Sequence, residues 1–535
     1  MTLPITPLSP EQQAPQQAVV QAQYAQKNVL VLGLGESGLS MVHWLQRCGA
    51  RVRVADTREA PERLEQLRQI MPASPIEFVG GRFTTELLDG IDFIAVSPGL
   101  SVSAELAELV PEAASRDIPV WSEIELFAQA LTYLAEVQQY HPKVIAITGT
   151  NGKTTVTSLV GLLVERAGKS VKVAGNISPA ALDVLRTNLD QHTLPDVWVL
   201  ELSSFQLHST MSLVADAATV LNLSQDHLDW HGSMTAYASD KARIFSPSTI
   251  QVINRDDPLV MQMANKKMGM APVLTFGLSA PVLPGEFGLH SEYGVTWLSM
   301  ATIVDDDSDV PKRKNRSKAD QRADAVVEVS IAHLMPADAL RIRGSHNATN
   351  ALAALALCRA IDLPLAPLLH GLREYQGEPH RVEYITTIGD VAYYDDSKGT
   401  NVGATVAAIN GLAKPGAKLM LIAGGVGKGQ DFTPLAVPVA NAVGAVFLIG
   451  LATEEIEAAL TQSPNAGQAG KVDIVRCDSM EHAVQRAAEY ARSGDIVLLS
   501  PACASFDMFK NYAHRAQVFV DAVTELGYAR GEVGI

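Results

Sequence analysis

The sequence predicts an α/β protein of three domains, and three observations carry that reading. Short apolar runs recur along the chain, among them "VIAITGT", "VWVLELSS", "AATVLNLS", "KLMLIAGG", "AVFLIG" and "DIVLLSPA". Helix-length segments such as "TTVTSLVGLLVERAG" and "HAVQRAAEYARSG" lie between them, and strands alternating with helices make parallel sheets covered on both faces. At 535 residues the chain is too long for one core and spans roughly three or four domain lengths.

Composition narrows the class. A hydrophobic content of 47% with 19% charged residues is that of an ordinary globular protein. The net charge of −16 argues against nucleic acid, whose phosphates need clustered Lys and Arg, but leaves room for small anions held by loops and helix ends. Cys48, Cys358, Cys477 and Cys503 are scattered, which is neither a disulfide framework nor a zinc site. The N-terminus lacks a basic region followed by an apolar core, and no apolar run approaches the roughly 18 residues of a membrane span. A cytoplasmic, soluble, multidomain protein that contacts no membrane is therefore expected; a monomer is taken as its working form, which these observations leave open.

Taken in order, residues 1–27 are poor in large apolar side chains and read as a disordered tail. In "KNVLVLGLGESGLSMVHWLQRCGARVRVAD" a strand runs through Gly33, Gly35 and Gly38 into a helix and then a second strand ending at Asp56. A first domain over 28–141 closes after a long helix, a second over 142–376 opens on a fresh strand, and a third over 377–535 begins near "YQGEPHR". Inside the second, 304–325 sets an acidic block beside a basic one. So few apolar groups cannot offset the ordering entropy, and the segment reads as an exposed, solvated insertion.

The chemistry begins at "AITGTNGKTT", residues 146–155. It ends like a phosphate loop, G-x-x-x-x-G-K-[ST], but the first glycine position is Ile147 and Gly149 comes two residues late. The context is right: a buried strand, a glycine turn, then a helix whose N-terminal N–H groups and dipole face an anion. Gly149, Thr150, Asn151, Gly152, Lys153, Thr154 and Thr155 form the candidate cradle, with Lys153 on phosphate and the Thr154 hydroxyl on Mg2+. The alternative is a plain strand-to-helix turn with an exposed lysine.

The string "TGTNGKTT", followed in order by "AGNIS", "ELSSFQL", "NLSQDHLDWHG", "YASDKARIF", "GSHNATNALAALAL", "PHRVE", "DDSKGTN" and "LSPACASFDMFKNY", resembles the Mur ligases over about residues 28–530. These are the amide-forming enzymes that build the peptide of bacterial cell-wall precursors, and their relatives include folylpolyglutamate synthases. The shortened loop is common to the family, whereas "DDSKGTN" and the last string are similar to its D-glutamate-adding branch. The resemblance implies an N-terminal Rossmann-like domain for a UDP-sugar, a central P-loop ATPase domain, and a C-terminal Rossmann-like domain for the amino acid. It implies ATP and two Mg2+ ions as cofactors, and UDP-N-acetylmuramoyl-L-alanine and D-glutamate as substrates.

Residue roles follow from matching positions. Read alone, "GLGESG" with Asp56 roughly 20 residues on is a dinucleotide fingerprint pointing to NAD. The resemblance implies UDP instead, with Glu36, Ser37, Asp56, Arg58, Gly99 and Asn176 on the substrate side; both ligands offer a pyrophosphate to a helix end. For catalysis it implies Lys153, Glu201, His227, Lys241 and Lys398, and for metal binding Thr154 and Glu201 on one Mg2+ with His227 and Lys241 on the second. Lys241 would carry a carbamate, which requires a neutral amine; the plainer alternative is a surface lysine beside Asp240. His227 could instead be structural. Asn347 and Asn350 match adenine contacts, or cap the helix that follows, while Arg381 and Asp396 match positions near ATP phosphate and ribose. Thr400, Lys428, Ser505 and the backbone of Tyr512 match the D-glutamate pocket, although Lys428 in its glycine-rich turn could also mimic a phosphate loop.

Overall fold

The computed structural model describes residues 23–70, 76–264, 271–303, 329–462 and 472–532. The insertion expected over 304–325 and residues 1–22 of the expected tail lie outside them. Within the expected 1–27 tail, Tyr24 belongs to the folded chain: it is buried, its hydroxyl donates to Gln129 Oε1 at 2.8 Å, and its ring meets Phe93 at 5.4 Å. One aromatic residue in a polar stretch is enough to anchor the chain when a complementary pocket exists.

Three sheets carry the molecule. The first joins β1 (Asn28–Leu32), β2 (Arg51–Asp56), β3 (Ile76–Gly80), β4 (Phe93–Val96) and β5 (Val120–Ser122) in the order β3–β2–β1–β4–β5, all parallel. Helix Glu36–Arg47 crosses so near the first turn that a Cβ on Gly38 would lie 1.9 Å from the Gly33 carbonyl oxygen. That approach requires glycine.

The second sheet comprises β6 (Lys143–Thr148), β7 (Val171–Gly175), β8 (Val197–Glu201), β9 (Ala217–Val220), β10 (Ile250–Asn254), β11 (Val273–Phe276), β12 (Glu286–Glu292), β13 (Val295–Ile303) and β14 (Val329–Pro336). Its order is β7–β8–β6–β9–β10–β11–β12–β13–β14. The strands through β12 are parallel, and β13 and β14 extend the edge as an antiparallel meander. Sequence reading did not separate these last three strands, because half-exposed strands lack the continuous apolar run that marked the others. The third sheet, from β15 (Glu383–Ile388), β16 (Val391–Asp395), β17 (Leu419–Gly424), β18 (Val443–Ile449), β19 (Asp473–Arg476) and β20 (Ile496–Leu499), has the order β15–β16–β20–β17–β18–β19 and is parallel apart from the β15–β16 hairpin.

The sheets are α/β with helices on their faces, as the alternation of apolar runs required. The helix Glu123–Gln138 precedes β6, and the helix Leu365–Glu374 precedes β15. The C-terminal ends of β6, β8 and β9 open onto one region, the place where open α/β sheets assemble sites.

Candidate active site

The shortened loop is held by its neighbours. Gly149 and Gly152 have φ of +150° and +83°, and a Cβ on Gly149 would sit 3.0 Å from Leu221 Cβ. Beyond β9, the Asn222 carbonyl accepts from the Thr150 N–H at 2.9 Å and its Oδ1 from the Asn151 N–H at 2.8 Å. The Ser224 N–H donates to Thr150 Oγ1 at 3.0 Å. Thus Asn222 and Ser224 fix a turn that a longer loop would shape by itself. Helix Lys153–Arg166 starts directly after Gly152, so its free N–H groups face the turn.

Two lysines converge on one carbonyl oxygen. Gly149 O accepts from Lys153 Nζ at 3.0 Å and from Lys241 Nζ at 2.9 Å. Lys153 also reaches Thr150 O at 2.8 Å, and Lys241 reaches Thr148 Oγ1 at 3.2 Å. Burial lowers the Lys153 pKa, with Glu201 and Asp226 opposing and Arg381 and Lys398 adding to the fall. Burial, then the Lys153 charge, drives Lys241 well below the usual ammonium range. Lys241 is 1% exposed, so the surface-lysine alternative is wrong. Asp240 turns the other way, to His208 Nδ1 and His231 Nδ1 at 3.0 Å each. A buried amine with no carboxylate partner among the described residues is poised to be neutral.

The acidic and imidazole groups lie around these lysines. Glu201, at the end of β8 and 2% exposed, accepts from Asn176 Nδ2 through Oε1 at 2.8 Å, while its buried Oε2 has no partner among the described residues. His227 sits in left-handed backbone at φ +54° with its ring edge-on to Phe205 at 4.7 Å. Burial keeps its imidazole below the ordinary pKa although Asp226, whose Oδ2 lies 3.6 Å from His227 Nε2, opposes this. Thr154 Oγ1 accepts from Arg381 Nη2 at 2.5 Å, which ties the phosphate loop to the third sheet's unit.

A cleft of about 440 Å³ opens beside the loop. Asn151, Gly152 and Thr155 form one wall, Asn347 and Asn350 another, and Arg381, Asp396 and Lys398 a third. Helix Ser345–Ala360 has Gly344 as its N-cap with no side-chain cap, so the two asparagines are not caps. Asn350 Nδ2 donates to Asn347 Oδ1 at 3.2 Å and Asn347 Nδ2 to Arg343 O at 2.8 Å. Asp396 accepts from Ser500 Oγ at 2.6 Å, and burial pushes its carboxyl up to about 7 against the pull of Arg381. Sequence reading missed Asn222, Ser224, His346 and the apolar wall of Phe276 and Leu278. The first three stood inside quoted strings, but no spacing rule distinguished them from their neighbours.

The remaining expected residues fall into two groups. In the third unit, Lys398 Nζ lies 3.8 Å above the Tyr512 ring, so that side chain packs on the lysine. Lys428 adopts φ +53°, Ser505 is buried, and Thr400 N donates to Lys398 O at 2.9 Å. In the first unit, Glu36 accepts from Ser178 Oγ at 2.8 Å, Ser37 is half-buried, and a Cβ on Gly99 would meet open space. Asn176 and Ser178 place that unit's edge two residues from the partner of Glu201. Asp56 accepts from Leu34 N at 2.7 Å and from Arg58 Nε at 2.8 Å. Burial raises its pKa, yet these hydrogen bonds outweigh it and hold the carboxyl below its usual range.

Three family patterns match in chain order: the MurD-like N-terminal domain over residues 27–122, the Mur ligase middle domain over 147–358, and the Mur ligase glutamate ligase domain over 380–503. The chain is 60% identical over 509 residues to the UDP-N-acetylmuramoylalanine--D-glutamate ligase of Cupriavidus pinatubonensis, covering 94% of this chain and 98% of that one. It belongs to the Mur ligase family. The corresponding ligase of Ralstonia nicotianae is 58% identical over 504 residues, again 94% of this chain and 98% of the relative. Among solved structures, the MurF ligase of Thermotoga maritima in complex with ADP shares the fold at TM-score 0.54 and 15% identity, covering 95% of this chain and 97% of that one. The UDP-N-acetylmuramoylalanyl-D-glutamyl-2,6-diaminopimelate--D-alanyl-D-alanyl ligase of Acinetobacter baumannii does so at TM-score 0.52 and 16% identity, covering 98% and 100%. No helix among the described residues of this Mur ligase is long and apolar enough to cross a membrane.

Proposed function

We propose that this Mur ligase adds D-glutamate to UDP-N-acetylmuramoyl-L-alanine, consuming ATP and releasing ADP and phosphate, in peptidoglycan precursor synthesis. The observation that carries this is the 60% identity, across 94% of the chain, to a ligase of that name. Joining a carboxylate to an amine in water is uphill, and a carboxylate is a poor electrophile. Transfer of the γ-phosphoryl group gives an acyl phosphate; the amine then attacks the carbonyl and phosphate departs. The chief obstacle is repulsion between carboxylate and triphosphate, so positioned cations are the chief need.

We assign the division of labour as follows. Residues 28–141 take the UDP-sugar through Glu36, Ser37, Asp56, Arg58 and Gly99, with Asn176 contributed by the central domain, 142–376. In that central domain the loop 149–155 wraps the triphosphate, Lys153 exchanges its hold on Gly149 O for phosphate oxygens, and Asn347 and Asn350 take adenine. Arg381 and Asp396 reach phosphate and ribose from the third domain, 377–535, where Lys398 faces the cleft as a catalytic cation and Thr400, Lys428, Ser505 and the Tyr512 backbone hold D-glutamate. The donors suit Mg2+: the bare Glu201 oxygen and Thr154 hydroxyl would hold one ion, and His227 with a carbamate on Lys241 a second. Such ions supply positive charge between the two anions. Carbamate formation requires a neutral amine, and burial together with the Lys153 charge drives the Lys241 pKa in that direction. The setting is cytoplasmic and the working form a monomer.

The decisive assay supplies ATP, Mg2+ and UDP-N-acetylmuramoyl-L-alanine, and scores phosphate release with D-glutamate against L-glutamate. Release with the D form alone is expected. Release dependent on another amino acid would move the chain to another branch, and no ADP would overturn the reading.

A further inference from the structure

Asn401 lies at the seam between the phosphate loop and the third unit. It is 4% exposed, and its side-chain amide pairs reciprocally with that of Asn151, 250 residues away. Asn401 Nδ2 donates to Asn151 Oδ1 at 3.0 Å, and Asn151 Nδ2 donates to Asn401 Oδ1 at 3.2 Å. The same Oδ1 accepts from the Ala404 N–H at 2.9 Å, capping helix Val402–Leu412. Asn401 Nδ2 also stands 3.5 Å from Asp226 Oδ2, beside His227. One amide thus joins the phosphate loop, the His227 loop and the first helix of the third unit.

The surroundings fit a made joint. A Cβ on Gly403 would lie 2.8 Å from Ser224 Oγ and 3.2 Å from Asn151 Nδ2, so the helix start approaches the loop as closely as glycine allows. Asn151 is itself fixed through its N–H to Asn222 Oδ1 at 2.8 Å. Lys398 and Thr400 lie three residues and one residue before Asn401, so whatever fixes Asn401 sets where they stand relative to the phosphate loop.

Resting on the ligase reading above, we propose that Asn401 is a positioning residue, whose amide pair with Asn151 holds Lys398 and Thr400 in register with the phosphate loop when the third unit is docked. The pair exists only in the docked arrangement, so it biases docking without belonging to the ATP site of the central domain alone. It acts through other residues and touches no reacting atom.

The test is Asn401→Ser in the full chain. Serine retains a capping oxygen for the helix but is too short to reach Asn151. Two neutral hydrogen bonds are lost, so kcat should fall about tenfold while KM for ATP stays within about twofold. The thermal midpoint should move by no more than about 2 °C, because the cap survives. Combining Asn151→Ala with Asn401→Ser should be no slower than Asn151→Ala alone, as for two halves of one contact. Wild-type kcat in Asn401→Ser, or a double-variant loss equal to the product of the single losses, overturns the proposal. If Asn401→Ser does not fold, Asn401→Asp keeps the cap and sets a second carboxylate near Asp226, and wild-type kcat there would equally overturn it. Should wild-type protein release no phosphate with D-glutamate, the ligase reading has failed. Small-angle scattering of both proteins with a non-hydrolysable ATP analogue then decides Asn401 separately: a larger radius of gyration for the variant supports the joint, and equal radii overturn it.

Discussion

The seam between the first and second sheets and the seam between the second and third are built from different materials. Across the first, a single buried apolar cluster runs from Val29 through Phe127 to Trp198 and Ile253, with Phe127 and Trp198 edge to face at 5.0 Å. Polar groups are sealed into it: Glu125 accepts from Met211 N at 2.7 Å and Ser212 N at 2.8 Å, and Ser122 Oγ meets Thr210 Oγ1 at 2.7 Å. Across the second, the buried clusters stop on either side. Polar contacts bridge it, such as Arg381 to Thr154 and Asp431 N to Gln225 Oε1 at 3.4 Å. A continuous core resists separation, whereas a polar seam exchanges its hydrogen bonds with water at little net change. This contrast predicts that the first two units behave as one body and that the third is the moving part.

Breaking the chemistry at the second seam should have the largest effect. Lys153→Ala removes the cation of the phosphate loop, and turnover should fall about a thousandfold or more while UDP-sugar binding, measured by calorimetry, stays within about threefold. Comparable loss of both would contradict separate sites.

Arg381→Ala should lower kcat/KM about a hundredfold with little change in melting temperature, because the residue bridges a polar seam. The same comparison expects the radius of gyration to shrink when the apo protein takes ATP analogue, UDP-sugar and D-glutamate. Identical scattering profiles would refute the swing.

At the first seam the pattern should reverse. Glu125→Ala removes a buried carboxylate that accepts from the N–H groups of the exposed residues Met211 and Ser212, and should cost about 2 kcal/mol by denaturant unfolding, yet the protein that stays folded should keep near-normal kcat.

The smallest effect sharpens the contrast through pH. Glu123 is wholly buried against helix Ala181–Asp190, accepting from Leu182 N at 2.7 Å, and burial pushes its carboxyl up to about 7. The folded state thus keeps a proton that the unfolded chain releases in the usual carboxylate range. Its stabilising share is full below that range and is lost as pH rises toward about 7. Glu123→Gln should flatten this decline, on the order of 2 kcal/mol, in melting curves between about pH 5 and 7.5. An unchanged pH profile would remove Glu123 from the account.

Much of this was legible in the chain. Fully buried parallel strands are continuous apolar runs, so β1, β6, β8 and β17 announced themselves, and glycines at Gly149 and Gly152 marked the loop. The half-exposed strands β12 to β14 carried a mixed pattern and passed unseen. Lys241 is the instructive case: its neighbour Asp240 suggested an ordinary surface pair, and only packing revealed that the two side chains leave the helix in opposite directions.

The sequence by itself determined the alternation of strands and helices, the phosphate-gripping turn and the family resemblance, because periodicity and short motifs are local. Tertiary structure alone decided which side chains met: Asn222 bracing a trimmed loop, two lysines on one carbonyl oxygen, Asp56 spent on Leu34 and Arg58, and a core at one seam against hydrogen bonds at the other. Those outcomes depend on burial and distance between residues remote in sequence, and no local pattern encodes them.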